Sequence, residues 1–331
     1  MRAHEMSDCS IYEREVIVCG DVMRNNTFHI AFAINDKFAM GMGVCVQSIV
    51  DNNGNDFVVH ILAMDLSMET VNRIKQANII TGVPFVIHVL RRDFLDAFPI
   101  SDRYPKEVYY RLMLPKILFR KVDVVLYLDA DTLCIGDVSE IRYLNLNEKI
   151  AGVIADRDDR ISWLRSIGYA NTKYFNSGVL LVNVNRWEEE GVTESAICFI
   201  NKYASSLVFF DQDALNAVIG ENVHWLEQKY NLLTYMYKRS EYNEMLIKSA
   251  IIHYGGEEPL WQEWCENPFQ EQFVKYKENS AWKDVPMVLP QTTLQMRKNS
   301  KKCMNKGNWC LGIYWYIRYI IKKCVKLSGD C

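Results

Sequence analysis

The chain is 331 residues long and 49% apolar, enough for one large globular domain or two smaller ones. Its net charge of −3 hides a split: nine of its 38 Lys plus Arg and one of its 41 Asp plus Glu lie beyond residue 284, which leaves the body 29 cations against 40 acids, a net of −11. An acidic body argues against nucleic acid as the main ligand, and the basic tail suits an anionic surface.

The first 26 residues mix Arg2, Glu5, Asp8, Glu13, Arg14 and Glu15, and their longest apolar run, 16–19, is too short for a signal peptide. They read as an N-terminal extension. Short apolar strands then alternate with helical patterns. Strands are expected at His29–Ile34, Phe57–Ala63, Phe85–Leu90, Val124–Leu128, Gly152–Ala155 and Val179–Val184. Helices are expected at Phe38–Val50, Glu69–Ile80, Pro105–Phe119 and Arg186–Tyr203, with Pro105 suited to a first turn. The alternation predicts an α/β fold with a mostly parallel central sheet. The ten cysteines contain no Cys-x-x-Cys pair, and several, such as Cys45, Cys134 and Cys198, sit in apolar stretches, which fits a reducing cytoplasm. No segment reaches the roughly 18 apolar residues that span a bilayer.

The strand Val124–Leu128 ends in Asp129-Ala130-Asp131. Two carboxylates at the end of a buried strand need compensation, because desolvating an ionised carboxylate is costly. A divalent cation would supply it, at the strand end where open α/β sheets bind ligands. A helix cap or turn acid is the plainer alternative. Four further segments carry polar residues that a core would not need: Asn35-Asp36 after the first strand, Asn176-Ser177-Gly178, Asp211-Gln212-Asp213, and His253-Tyr254-Gly255-Gly256. Each has a structural reading as turn, bend, helix cap or hydrogen-bonded histidine. Together they point to a cation held by Asp129, Asp131 and His253, with positions left for phosphate oxygens. The imidazole favours manganese over magnesium.

Phe32-Ala33-Ile34-Asn35-Asp36, Tyr127-Leu128-Asp129-Ala130-Asp131, Tyr174-Phe175-Asn176-Ser177-Gly178-Val179-Leu180-Leu181, Asp211-Gln212-Asp213 and His253-Tyr254-x-Gly256 follow the order and spacing of glycosyltransferase family 8. The chain resembles the enterobacterial lipopolysaccharide-core α-glucosyl- and α-galactosyltransferases of that family over roughly residues 27–290, including Phe273–Lys283 near the end. The resemblance implies a GT-A fold, a UDP-glucose or UDP-galactose donor, Mn2+ (or Mg2+), a lipopolysaccharide outer-core acceptor and retention of the α configuration. It also implies site roles. Asp129, Asp131 and His253 would ligate the metal, with Ala130 between the acids. Ala33, Asn35 and Asp36 would line the uridine pocket, and Arg111 and Asp156 would approach the donor sugar. Asn176, Asp211 and Gln212 would surround the anomeric carbon, and Asp213 and Gly256 would complete the donor site. One departure stands out. Where the family carries Lys-Pro-Trp after its His-Tyr-x-Gly, this chain reads Glu257-Glu258-Pro259-Leu260-Trp261, so Pro259 takes the place of a diphosphate-binding lysine.

The expected organisation is an extension at 1–26, a GT-A domain at 27–265, a family-specific segment at 266–290 beside the linker prolines Pro286 and Pro290, and a basic tail at 291–331. In the tail, Trp309, Ile313, Tyr314, Trp315 and Tyr316 supply apolar bulk while Arg318, Lys322 and Lys326 recur every four residues. Such a helix is too charged to cross a bilayer but suits its interface, and the segment 297–326 is expected on the cytoplasmic surface of the inner membrane. The rival readings are a metal-dependent nucleotide-sugar hydrolase or nucleotidyltransferase using the same acids, and a non-catalytic nucleotide-sugar-binding protein.

Overall fold

The computed structural model describes residues 12–19, 27–91, 98–99, 106–255 and 259–328. Eleven strands occur among them: β1 (Tyr12–Cys19), β2 (Phe28–Ala33), β3 (Phe57–Ala63), β4 (Phe85–Leu90), β5 (Val124–Leu128), β6 (Thr132–Cys134), β7 (Ala151–Ala155), β8 (Phe175–Asn183), β9 (Val223–Trp225), β10 (Leu232–Leu233) and β11 (Ile251–His253). Eight form one sheet in the order β1-β4-β3-β2-β5-β8-β7-β9, and β10-β11-β6 form a second of three strands. In the large sheet the pairs β4/β3, β3/β2, β2/β5 and β7/β9 are parallel, and β1/β4, β5/β8 and β8/β7 antiparallel. A mostly parallel sheet of this kind is covered on both faces, and all seven residues of β3, Phe-Val-Val-His-Ile-Leu-Ala, are buried accordingly.

The helices between the strands follow local chemistry. Ser67 caps Met68–Thr81 by accepting from the Thr70 amide, and Gly82 closes that helix in the left-handed region at φ 71°. The helix Ala39–Asn53 is buried from Ala39 through Ile49 and packs against β6 and the helix Met68–Thr81. Two expected helices are broken. The segment expected as Pro105–Phe119 forms 3-10 turns over Lys106–Met113 and a short α-helix over Leu114–Leu118. Pro115 cannot donate to Arg111 and its ring would clash one turn back, so an α-helix can start there but not pass through. Arg186–Tyr203 divides at Gly191, which adopts φ 59°, into Val184–Glu189 and Val192–Tyr203. β1 falls within the segment expected as an N-terminal extension and pairs antiparallel with β4.

The main core lies where Tyr109, Tyr127, Phe175, Trp187, Phe199 and Leu215 meet beneath the antiparallel half of the large sheet. None of the described cysteines is in a disulfide, and Cys45, Cys134 and Cys265 are buried thiols. The chain divides into two compact units, Met1–Gly255 and Gly256–Cys331. In the second, Thr292 and Gln295 form a capping box for the helix Thr293–Asn305. The helix Trp309–Ser328 packs on it at Gly312, where a Cβ would lie 2.6 Å from Met304 Cγ and 3.1 Å from the Ser300 carbonyl oxygen. Trp315 is buried on that side, while Trp309, Ile313, Tyr314, Tyr316, Ile317 and Ile321 are exposed. Among the described residues, no helix is long and apolar enough to cross a membrane.

Candidate functional site

The small sheet assembles the site. β11 runs antiparallel to β6 with His253 opposite Thr132, the residue after Asp131, and the Tyr254 amide donates to the Asp131 carbonyl at 3.0 Å. On the other side β5 pairs with β8, and the Asp129 amide donates to the Gly178 carbonyl at 2.8 Å. Ligand atoms of Asp129, Asp131 and His253 all lie within 4.8 Å of one another. His253 Nε2 stands 3.3 Å from Asp131 Oδ1 and 3.8 Å from Asp129 Oδ2. Two carboxylate oxygens and an imidazole nitrogen are the donor set that manganese or magnesium accepts. Gly178 keeps the space clear: a Cβ there would sit 2.3 Å from His253 Cε1 and 2.5 Å from Asp129 Oδ2. The residues present therefore fit a divalent cation.

Electrostatics favour a positive charge at this point, a proton on His253 that a bound cation would displace. Burial would lower the pKa of His253, but Asp131 and Asp129 outweigh it and the pKa stands above the ordinary histidine value. Burial would raise Asp131, and His253 beside it reverses the sign, so the carboxyl sits below its usual value. Asp129 is steered through its other oxygen: Oδ1 accepts from Arg111 Nη2 at 2.9 Å and from the Tyr127 hydroxyl at 2.8 Å. Arg111 is itself buried, with Nε 3.0 Å from Asp211 Oδ2 and Nη1 donating to the Ser177 carbonyl at 2.6 Å. Burial pushes Asp211 up to about 6, with Arg111 pulling the other way.

Beside the acid–histidine cluster lies a second group. Asn176 Nδ2 donates to Asp156 Oδ2 at 3.2 Å and to Gln212 Oε1 at 3.1 Å. Gln212 Nε2 donates to the same Asp156 oxygen at 3.2 Å, and its Oε1 accepts from the Ser177 amide at 2.9 Å. Tyr235 donates its hydroxyl to Asp156 Oδ1 at 2.7 Å. Asn176, Gln212 and Asp156 are thus one hydrogen-bonded unit.

The other expected site residues have partners of their own. Ala33, Asn35 and Asp36 follow β2; Asn35 Nδ2 donates to Glu107 Oε1 at 2.7 Å, and Asp36 Oδ1 accepts from the Ser67 amide at 3.0 Å. Asp213 is fully buried, accepts from Tyr174 at 2.7 Å and from the Val208 amide at 2.9 Å, and pairs with Arg160 at 3.0 Å. That anchors the loop before Asp211 from within. Ala130 is buried between the two acids. Gly256, Glu257 and Glu258 lie outside the described residues. The sequence reading missed Tyr127, Tyr235, Glu107 and Asn231. Asn231 joins His253 to Asn176, and nothing in Tyr230-Asn231-Leu232-Leu233 distinguishes it as a sequence.

Comparison with known proteins agrees with this geometry. The chain is 27% identical over 310 residues to the lipopolysaccharide 1,3-galactosyltransferase of Salmonella typhimurium, covering 90% of this chain and 92% of that protein. It is also 27% identical over 313 residues to the lipopolysaccharide glucosyltransferase WaaO of Escherichia coli, with the same coverage. The crystal structure of the galactosyltransferase LgtC with donor and acceptor sugar analogues superposes with a TM-score of 0.67 at 22% identity, over 76% of this chain and 96% of that one. That likeness identifies the fold as GT-A type. The glycosyl transferase family 8 profile matches residues 29–265 and its C-terminal companion residues 268–323; with both profiles in register along most of its length, the chain belongs to glycosyltransferase family 8.

Proposed function

We propose that the protein is a retaining hexosyltransferase that moves glucose or galactose from a UDP-sugar to the lipopolysaccharide outer core. The observation that carries this reading is the convergence of Asp129, Asp131 and His253 next to the Asn176–Gln212–Asp156 unit. Bound there, Mn2+ (or Mg2+) would neutralise charge on the departing diphosphate. Ala33, Asn35 and Asp36 bind the uridine end, and Asp156 and Asn176 orient the sugar hydroxyls. The relatives' activities on lipopolysaccharide support the choice of acceptor.

The residues near the anomeric carbon favour same-face attack by the acceptor hydroxyl, with a β-phosphate oxygen taking its proton. Gln212 is an amide, a poor nucleophile, and its two ends are engaged by Ser177 and Asp156. Asp211 is buried and ion-paired with Arg111, so it offers no exposed carboxylate to form a covalent glycosyl-enzyme, unlike the two-carboxylate retaining hydrolases. Its charge, relayed through Arg111, fixes Asp129.

The exposed apolar residues of Trp309–Ser328, together with Arg318 and Lys322, support peripheral attachment to the cytoplasmic face of the inner membrane, where the acceptor glycolipid resides. Offering UDP-glucose and UDP-galactose with Mn2+ to a panel of truncated lipopolysaccharides, and solving the product linkage by NMR, tests the reading. A new α-hexosyl linkage is expected from one donor. Release of free sugar without acceptor, or no turnover on any acceptor, would overturn it in favour of a hydrolase or a binding protein. Removing residues 297–331 is expected to release the protein from anionic vesicles at 0.15 M salt; sedimentation unchanged by the truncation refutes the attachment.

A further inference from the structure

His253, Asn231, Asn176, Gln212 and Asp156 form a single hydrogen-bonded chain whose direction is fixed by groups with only one possible role. The Gly178 amide can only donate, and it donates to Asn176 Oδ1 at 3.0 Å. The Asp156 carboxylate accepts from Asn176 Nδ2 at 3.2 Å. These two bonds set the Asn176 amide with its oxygen toward Asn231. Asn231 must therefore present Nδ2 to Asn176 Oδ1, at 2.9 Å, and its own Oδ1 to His253 Nδ1, at 3.1 Å. It follows that Nδ1 of His253 carries a proton and donates it, and that Nε2 is the nitrogen left to face the space between Asp129 and Asp131. Asn231 is completely buried and sits between the two clusters described above.

We propose that Asn231 is a positioning residue that locks His253 in the metal-binding tautomer and passes its orientation through Asn176 to the sugar-side amide of Gln212. The proposal rests on the reading of Asp129, Asp131 and His253 as a metal site. Partners of a ligating histidine that hold its distal N–H typically change metal affinity or activity by about 10- to 100-fold when removed. In this chain the partner is an amide, which also has a donor to spend on the other cluster. A carboxylate or a backbone carbonyl in its place would orient His253 equally well but could not reach Asn176 with a proton.

The test uses the full-length protein and free Mn2+ measured by electron paramagnetic resonance in the presence of UDP. Asn231→Ala removes both bonds and is expected to weaken Mn2+ about 10- to 100-fold. Asn231→Asp keeps an acceptor for His253 but has no donor for Asn176; Mn2+ affinity is expected within about threefold of wild type while kcat for transfer falls roughly tenfold. Wild type that binds no Mn2+ would sink the metal reading itself. Wild type that binds Mn2+ with Asn231→Ala binding it equally well would leave the metal reading standing and overturn the role of Asn231. Asn231→Asp transferring at the wild-type kcat would overturn the link to Asn176. A measurement on the wild-type Asn231 protein covers the case in which the Asn231 variants do not fold. In 15N-histidine spectra, with the His253 signal identified by its loss in His253→Gln, Nδ1 is expected to bear a proton in the metal-free protein and with Mg2+ and UDP. An unprotonated Nδ1 in either state overturns the proposal.

Discussion

Among the described residues, buried and half-buried histidines occur at two places and do different things. In the parallel half of the large sheet, His29, His60 and His88 stand on the adjacent strands β2, β3 and β4. His29 Nδ1 lies 2.9 Å from His60 Nε2, and His60 Nδ1 lies 3.0 Å from His88 Nε2. Both nitrogens of His60 are thus used by neighbouring rings, and the rings themselves lie 5.2 Å apart, tilted or stacked. Near the antiparallel half, His253 spends one nitrogen on Asn231 and aims the other at two carboxylates. The polar atoms of the ladder close on one another, whereas those at His253 converge on a point. Burial and hydrogen bonding are common to both, so neither marks a site. What marks the site is that ligand atoms from three residues, two on the β5–β6 connection and one on β11, are aimed at one small space that Gly178 keeps open.

The sharpest way to test this difference is to remove one group from each region. Asp131→Ala takes away a ligand oxygen and no packing. Transfer is expected to fall about 1,000-fold or more, since a lost metal contact costs several kcal/mol of barrier, with the melting temperature within a few degrees of wild type. EDTA should do the same to the unaltered enzyme. An Asp131→Ala enzyme retaining a tenth of wild-type activity would place the chemistry elsewhere. His60→Leu should behave in the opposite way: it takes a partner from buried His88 Nε2, at roughly 1–3 kcal/mol, and from half-buried His29 Nδ1, so unfolding is expected at lower urea while kcat of the folded protein is unchanged. A His60→Leu protein of normal stability but poor activity would merge the two regions into one. Gly178→Ala lies between these extremes. Its Cβ would press on His253 and Asp129, and calorimetry is expected to show about 1–3 kcal/mol of overpacking cost together with weaker Mn2+ binding. Intact Mn2+ affinity in that variant would mean the ligands close in some other way.

The same contrast separates what was legible in the sequence from what was not. β2, β3, β4, β5 and β8 appear as apolar runs because buried strands of a mostly parallel sheet have little exposed face to mark. β1 escaped notice because Glu13, Arg14 and Glu15 interrupt it, as suits the edge strand that it forms. β6, β10 and β11 are two or three residues long and exist through pairing rather than composition. The break at Pro115 was readable from proline's missing N–H. In the site, Asp129 and Asp131 announce themselves as acids closing an apolar strand. His253 lies 122 residues further on, and only the β6/β11 register brings it to them. Asp211 and Asp213 look alike in the sequence, yet positions two apart on a helix face different ways: one meets Arg111 near the cluster and the other anchors a loop from inside. Asn231 carries no signal, since a lone amide before two leucines could equally be a turn.

The smallest expected effect concerns acid, and it isolates the ladder from the site. Burial and then the neighbouring rings push His60 well below the ordinary value of 6.5, and burial pushes His88 down to about 4, with Glu15 raising it and Lys121 lowering it. Below pH 6.5, and down to about 4 in the case of His88, the unfolded chain therefore binds protons at these positions that the folded chain refuses. Stability must rise with pH across that window and be lost as the pH falls, by at most about 1.4 kcal/mol per pH unit for each such group. His253 and Asp211 have the opposite sign, because their folded values are raised: the stability that each contributes is lost as pH climbs through the raised value. Comparing wild type with His60→Leu cancels those opposing groups, because both proteins contain them. Urea unfolding at pH 7.5, 6.5, 5.5 and 5.0 is expected to show the stability advantage of wild type narrowing below pH 6.5, as protons compete for a ring that the fold can only hold neutral. An advantage that stays constant down to pH 5.0 would mean that His60 accepts its proton inside the sheet, so that the ladder can carry charge and the line drawn between the two regions is in the wrong place.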